Sequence, residues 1–256
     1  MNSPLQSVDR ALEVLLSFDE NRGDWGVTEL AQEFGWDKSV AQRLLASLAQ
    51  RGFLVTNPAT RRYRLGPAVW HLAWLWERKG GLAALARPVL HRLAERTGYT
   101  AMLTVPDGMH VRCVEAIHGE SGPVRPYSLV GELYPAHAGA TSRAYFAMLP
   151  DQARANLFLD RPMARFSDRT LTDAEELERS FRVTRATGYA YSQGEYDANT
   201  AALAVPLMIR NQPVATLTLL TPNAIPRDNH AELVDQLRDE ALELARTLAP
   251  RPRPGR

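Results

Sequence analysis

The sequence predicts an α+β protein in two unequal parts joined by a helix. Three observations predict it. Short helical stretches followed by a hairpin fill the first 66 residues, and a nearly all-apolar segment, AVWHLAWLWERKG, then runs to Gly80-Gly81. Beyond it, helices alternate irregularly with hairpin-linked strands, which favours an antiparallel sheet over a doubly wound one. The parts are a domain over 1–66, a connecting helix over 67–81, a second domain over 82–250 and a Pro- and Arg-rich tail, 251–256, expected to be disordered. At 256 residues the chain has room for two cores.

The elements follow in order. Ser7 is expected to cap a helix carrying Ala11, Leu12, Val14, Leu15, Leu16 and Phe18, which stops at the polar turn ENRGDWG. Thr28 starts a second, short helix, TELAQEFG, with Leu30, Ala31 and Phe34 inward. Asp37 caps a third, whose apolar set is Val40, Ala41, Leu44, Leu45, Leu48 and Ala49, and Gly52 ends it. Phe53-Leu54-Val55, the turn NPATR and Arg62-Tyr63-Arg64-Leu65 make a hairpin. Gly66-Pro67 resets the chain for the connecting helix, with Trp70, Trp74 and Trp76 inside seven residues. A helix apolar on nearly every side must be buried on every side. A connector has too little of its own chain around it, so this helix is expected to pack against a second copy. The alternative is a hidden helix within one larger domain.

From Leu82 a helix carries Leu85, Ala86, Val89, Leu90, Leu93 and Ala94 on one stripe and stops at Gly98. Strand patterns follow at TAMLTV and HVRCVEAI, separated by Pro106-Asp107-Gly108, with VRPYSLV a third candidate. GATSRAYFAML and DQARANLFL read as helical, and Thr172-Asp173-Ala174-Glu175 as a capping box opening a helix that ends at Gly188. TAALAVPLMI and PVATLTLLT flank the turn Arg210-Asn211-Gln212, and a last helix covers about 227–248.

Composition narrows the function. The chain is 45% hydrophobic, 23% charged and carries a net +1, values of an ordinary globular protein without a general nucleic-acid coat. A single cysteine, Cys113, cannot form an intrachain disulfide or a cysteine-rich metal site, which fits a reducing cytoplasm. No apolar run reaches the roughly 18 residues that span a bilayer, and the N-terminus lacks a signal pattern. A cytoplasmic protein without a membrane partner is expected. G-x-S-x-G, G-x-G-x-x-G and P-loop motifs are absent, and the six histidines show no metal spacing, so neither enzyme activity nor a cofactor is expected.

Against this neutral background, Asp37 to Arg64 holds six basic residues and one acid. A short helix, a tight turn, a longer helix and a hairpin make a winged helix-turn-helix, in which the second helix lies in the DNA major groove. Lys38, Ser39, Gln42 and Arg43 share one face of its first turns. Arg43 can donate two bonds to guanine and Gln42 can pair with adenine. Arg61 and Arg62 sit at or beside the hairpin tip, where a wing reaches phosphates or the minor groove. Two other readings stand beside this one: a carboxylate-handling enzyme with an accessory helix-turn-helix, and an architectural DNA-binding protein without a ligand.

In the second domain, AHAGATSRAYF turns into a helix near Gly139–Thr141, leaving amide N–H groups and the positive dipole end to meet a carboxylate. The alternative is an ordinary helix start satisfied by water.

These segments resemble the IclR family of bacterial transcriptional regulators over nearly the whole chain. The carrying residues are SVDRALEVL (7–15), TELAQEFGWDKSVAQRLLASLAQRGFL (28–54), NPATRRYRLGPAV (57–69), HAGATSRAYFAMLP (137–150), TGYAYSQGEYDANTAALAVPL (187–207) and PVATLTL (213–219). The resemblance implies a GAF-like effector-binding domain for a small organic acid, and homodimers, often paired as dimers of dimers, on pseudo-palindromic double-stranded operators. It places Ala140 and Thr141 at the ligand carboxylate. It also sets Ser192, Ala202 and Thr218 where glyoxylate- and pyruvate-type members have an acid, a cysteine and a serine, with Leu220 at a second serine. Ser142-Arg143 replaces a common Gly-Lys, and Arg61 a common wing glycine. Losing polar groups from the pocket favours a larger, partly apolar acid over glyoxylate or pyruvate, with Tyr127 and Tyr134 offering aromatic surface.

Overall fold

The computed structural model describes residues 5–18, 22–121, 128–158, 162–222 and 224–248. The chain packs as two compact units, Met1–Gly81 and Leu82–Arg256.

The first unit contains α1 (Gln6–Leu16), β1 (Asp24–Trp25), α2 (Val27–Phe34), α3 (Lys38–Gln50), β2 (Leu54–Thr56), β3 (Tyr63–Leu65) and α4 (Pro67–Arg78). Val14 of α1, Leu30 of α2, Ala41 and Leu45 of α3, Leu54 and Trp25 form its core, each at most 1% exposed. Burying these side chains away from water holds three short helices that would be marginal alone. Gly35, left-handed at φ 62°, ends α2, and the Trp36 amide donates back to the Ala31 carbonyl, which turns the chain sharply into α3. The strands form an antiparallel sheet in the order β1-β3-β2.

Several local expectations shift. β1 lies inside the stretch expected to be only a polar turn, because Trp25 is drawn into the core and its backbone pairs with Tyr63. α1 begins at Gln6 with Leu5 at the cap position, so Ser7 sits within the first turn. α2 begins at Val27 after Gly26, where Glu29 Oε2 accepts from the Gly26 amide at 3.5 Å. Asp37 does precede α3, but its carbonyl, not its side chain, accepts from Val40 and Ala41.

The second unit runs α5 (Gly81–Thr97), β4 (Thr100–Asp107), β5 (His110–Ile117), β6 (Leu133–Pro135), α6 (Ala140–Phe146), α7 (Asp151–Leu157), α8 (Ala174–Thr187), β7 (Ala190–Gln193), β8 (Thr200–Ile209), β9 (Gln212–Pro222) and α9 (His230–Leu248). Its six strands pair antiparallel throughout, in the order β6-β5-β4-β9-β8-β7. One face packs on α5 and α9 through Leu90, Leu93, Leu203, Leu217 and Leu237. The other packs on α6 and α8 through Met102, Ala202, Ala204, Phe146 and Phe181. Arg210 and Asn211, both at positive φ, close the β8–β9 hairpin.

The sequence pattern missed β6 and β7, which are too short for an alternating run. Of VRPYSLV, residues 124–127 lie outside the described residues, and Ser128–Val130 form no strand. The cap of α8 is Asp173, one residue later than expected, because its carboxylate reaches the Glu176 amide at 2.8 Å.

Candidate functional site

In the first unit, Lys38, Ser39, Gln42 and Arg43 are all exposed on the first two turns of α3. The opposite stripe, Ala41, Leu45 and Leu48, is buried and fixes the angle at which that face is presented. Gln42 Nε2 donates to the Tyr63 hydroxyl at 3.3 Å. Arg43 borders a cleft against α1 with Ser7 and Arg10, and the Arg10 guanidinium lies 5.3 Å from the centre of the Trp36 ring.

The two wing arginines divide. Arg61 is exposed at the turn, where Asn57 Oδ1 accepts from the amides of Ala59 and Thr60. It holds a left-handed φ of 55°. Arg62 turns the other way: Nε donates to Asp24 Oδ1 at 2.6 Å, and Nη2 donates to Glu29 Oε2 at 2.7 Å and to the Asp24 carbonyl at 3.3 Å. The hydrogen bond from Arg62 holds the Glu29 carboxyl below its ordinary value. Asp24 and then Glu29 hold the Arg62 guanidinium above its own. Arg62, expected to grip phosphate, is thus bonded to β1 and α2.

In the second unit, a small cavity opens where α6 begins above β7, β8 and β9. Tyr134, Ala140, Thr141, Ser192 and Ala202 all line it, as does Leu220. Thr218 lies on the same sheet face two residues from Leu220, paired with Met102 and Ala204, fully buried, and its hydroxyl has no partner among the described residues. Tyr127 lies outside the described residues.

The helix start is already capped from within. Ser192 Oγ accepts from the Ala140 amide at 2.8 Å, and Glu195 Oε2 accepts from the Gly139 amide at 3.2 Å. Gly139 holds φ 93°, which opens this corner to those side chains. Beneath them, Arg143 is 3% exposed and donates to both oxygens of Glu195 and to the Tyr191 carbonyl. Of the amides expected to wait for a ligand or water, those of Gly139 and Ala140 are therefore served by Glu195 and Ser192, from the β7 side of the cavity. Tyr196 completes an aromatic wall, its ring 5.0 Å from that of Tyr134 in an edge-on arrangement.

Glu195 and Tyr196 were missing from the expected lining. Their signal was the placement of Ser192 itself. Both follow Ser192 within four residues and line the same cavity. Cys113 takes no part: burial pushes its thiol up to about 12, which leaves it unreactive as a nucleophile at neutral pH.

A helix-turn-helix with a three-stranded wing sheet, followed in the chain by an antiparallel α/β domain holding a small cavity, defines a one-component transcriptional regulator. Residues 7–58 match the IclR helix-turn-helix domain and residues 78–246 match the C-terminal domain of bacterial IclR transcriptional regulators, so the chain belongs to the IclR family. It is 30% identical to the transcriptional regulator XynR of Escherichia coli, over 95% of this chain and 97% of that one. Among solved structures, an IclR regulator from Alicyclobacillus acidocaldarius superposes with a TM-score of 0.61 at 27% identity, covering 95% and 99% of the two chains. An IclR homologue from Microbacterium hydrocarbonoxydans, solved with 4-hydroxybenzoate, shares the fold with a TM-score of 0.59 at 23% identity, covering 95% and 99%. The chain is a ligand-responsive, DNA-binding regulator rather than an enzyme.

Proposed function

We propose that this regulator senses a small carboxylate of aromatic or similarly bulky shape and controls a catabolic operon through a pseudo-palindromic operator. The observation that carries the effector class is the make-up of the cavity. Tyr134 and Tyr196 form one wall and Ala202 and Leu220 another, while Ser192 and the amides at the start of α6 supply polar contacts at one end. An aromatic acid matches this division, with its ring between the apolar walls and its carboxylate at Ala140 and Thr141. Ser192 then yields the Ala140 amide to the ligand. The homologue solved with 4-hydroxybenzoate supports an acid of this size in this fold. Calorimetry with 4-hydroxybenzoate, benzoate, glyoxylate and pyruvate tests the class: the aromatic acids bind more tightly. Tighter binding of glyoxylate or pyruvate overturns it.

On the DNA side, Lys38, Ser39, Gln42 and Arg43 face the major groove and Arg61 contacts the backbone. Arg43→Ala relaxes base preference at one position and costs about 1–3 kcal/mol there. Equal weakening on every sequence marks Arg43 as a phosphate contact instead.

The working form is a homodimer, joined at least through α4. No residue of α4 is buried within the chain, and Trp70, Leu72, Trp74, Leu75 and Trp76 all stand exposed, Trp70 by 67%. A run of large apolar side chains of this kind marks an interaction surface. Leu75→Glu shifts the chain toward monomer in analytical ultracentrifugation. An unchanged dimer removes α4 from the interface.

A further inference from the structure

We propose that Tyr63 and Arg62, consecutive residues of the wing, are positioning residues for base recognition: Tyr63 orients the side-chain amide of Gln42, and Arg62 locks the wing to the body of the domain. The proposal rests on the reading of α3 as the groove-entering helix.

Consecutive residues of an extended chain point to opposite sides. At the entry to β3 this sends Arg62 to one side, where its three bonds reach Asp24 of β1 and Glu29 of α2. It sends Tyr63 to the other, into the core, where the residue is 8% exposed and sits in register between Trp25 and Thr56. The Tyr63 hydroxyl reaches through to α3 and accepts from Gln42 Nε2. Gln42 itself is exposed on the face that carries Arg43. One short segment of wing thus touches the sheet edge, the first helix of the motif and the reading helix.

The chemistry of glutamine makes the Tyr63 contact consequential. Reading adenine takes the amide oxygen, accepting from N6, and one N–H, donating to N7, held in one plane. A free glutamine amide turns about its last bond and presents oxygen and nitrogen in either order. With one N–H tied to Tyr63, the oxygen and the second N–H project together in one order. Tyr63 therefore selects the adenine pattern without touching DNA, and removes rotamer freedom that binding would otherwise have to freeze. Arg62 acts on the same geometry from the other side. Its planar fork is shared between two carboxylates in an arrangement that lysine cannot reproduce, so its charge serves the wing's placement, while Arg61 remains the outward cation.

The test uses the full-length protein and random-sequence DNA. Selection defines a preferred site, and affinities for its single-base variants are then measured at several salt concentrations for wild type, Gln42→Ala, Tyr63→Phe, Arg62→Lys and Arg61→Ala. Tyr63→Phe keeps the core ring, and its melting temperature shows whether the fold is intact. The expected result is that Gln42→Ala and Tyr63→Phe flatten preference at the same base position, Tyr63→Phe by roughly 2- to 10-fold, with the salt slope unchanged. Arg62→Lys weakens binding at an unchanged slope, whereas Arg61→Ala lowers the slope by about one. If Gln42→Ala flattens one position and Tyr63→Phe does not, the positioning role is overturned while the reading helix stands. A Tyr63→Phe effect spread evenly over all positions also overturns it. A flat response to Gln42→Ala overturns base reading by Gln42 and the proposal together.

Discussion

Arg61 keeps a large side chain at a backbone angle that suits glycine. A non-glycine residue in the left-handed region costs on the order of 1–2 kcal/mol, and Arg61 holds φ 55° at a turn already closed by Asn57. Strain retained at an exposed charged position points to a use for the charge. Arg61→Gly is therefore expected to raise stability in urea unfolding by about 1 kcal/mol while lowering the salt dependence of DNA binding by about one counterion. A loss of stability would show that the arginine side chain supports the turn. Thr218 poses the opposite question, a buried hydroxyl without a partner among the described residues. Its burial without a hydrogen bond is unfavourable, so Thr218→Val in the absence of effector leaves stability unchanged or raises it by up to about 1 kcal/mol. Destabilisation beyond that means the hydroxyl is used in the unliganded protein. Both residues show the limit of a linear reading. Arg61 was legible as a tip cation, because charge and turn lie in the sequence. The inward turn of Arg62 was not, because Asp24 and Glu29 are 38 and 33 residues away and only the closed sheet brings them to it.

At the scale of elements, a shielded ion pair ties α6 to the segment that follows β7. Arg143 and Glu195 are both shielded, and Glu195 also serves the Gly139 amide, so removing either leaves a charge without its partner. Breaking such a pair costs roughly 3–5 kcal/mol. Glu195→Ala is expected to lower the stability of the effector-binding unit by that order, read in urea unfolding of the full chain. A change under 1 kcal/mol would mean the pair adds nothing to α6. The wing clamp is weaker and exposed, and its signature is pH. Because Arg62 depresses the Glu29 carboxyl, the ionised pair stabilises the fold above the ordinary value of 4.5 and stops doing so as pH falls through the lower folded value. The stability gap between wild type and Glu29→Gln, present at pH 7, should close below about pH 4.5. A gap that does not shrink as pH falls below about 4.5 assigns the effect to packing. Helices and long strands were legible from apolar period alone. β1, β6 and β7, of two to four residues, were not, since each is made by its neighbours rather than by its own pattern.

For the whole molecule, the sequence carried the two-part plan because Gly80-Gly81 and the tryptophan-rich α4 interrupt every other pattern. It also placed five lining residues of one cavity, which lie up to 68 positions apart between Tyr134 and Ala202. It missed Glu195, whose role depends on meeting Arg143 across the fold. What unites both units is the claim that occupancy of that cavity alters the grip of α3 on DNA. A ligand shifts operator affinity only as far as it distinguishes two states of the protein. The most direct measurement is the affinity of the full-length protein for its selected operator, with and without a saturating aromatic acid shown by calorimetry to bind. The expected change is roughly 5- to 150-fold, abolished by Ala202→Trp, which fills the cavity, and not by Arg61→Ala. Identical operator affinity with the cavity full and empty would contradict it.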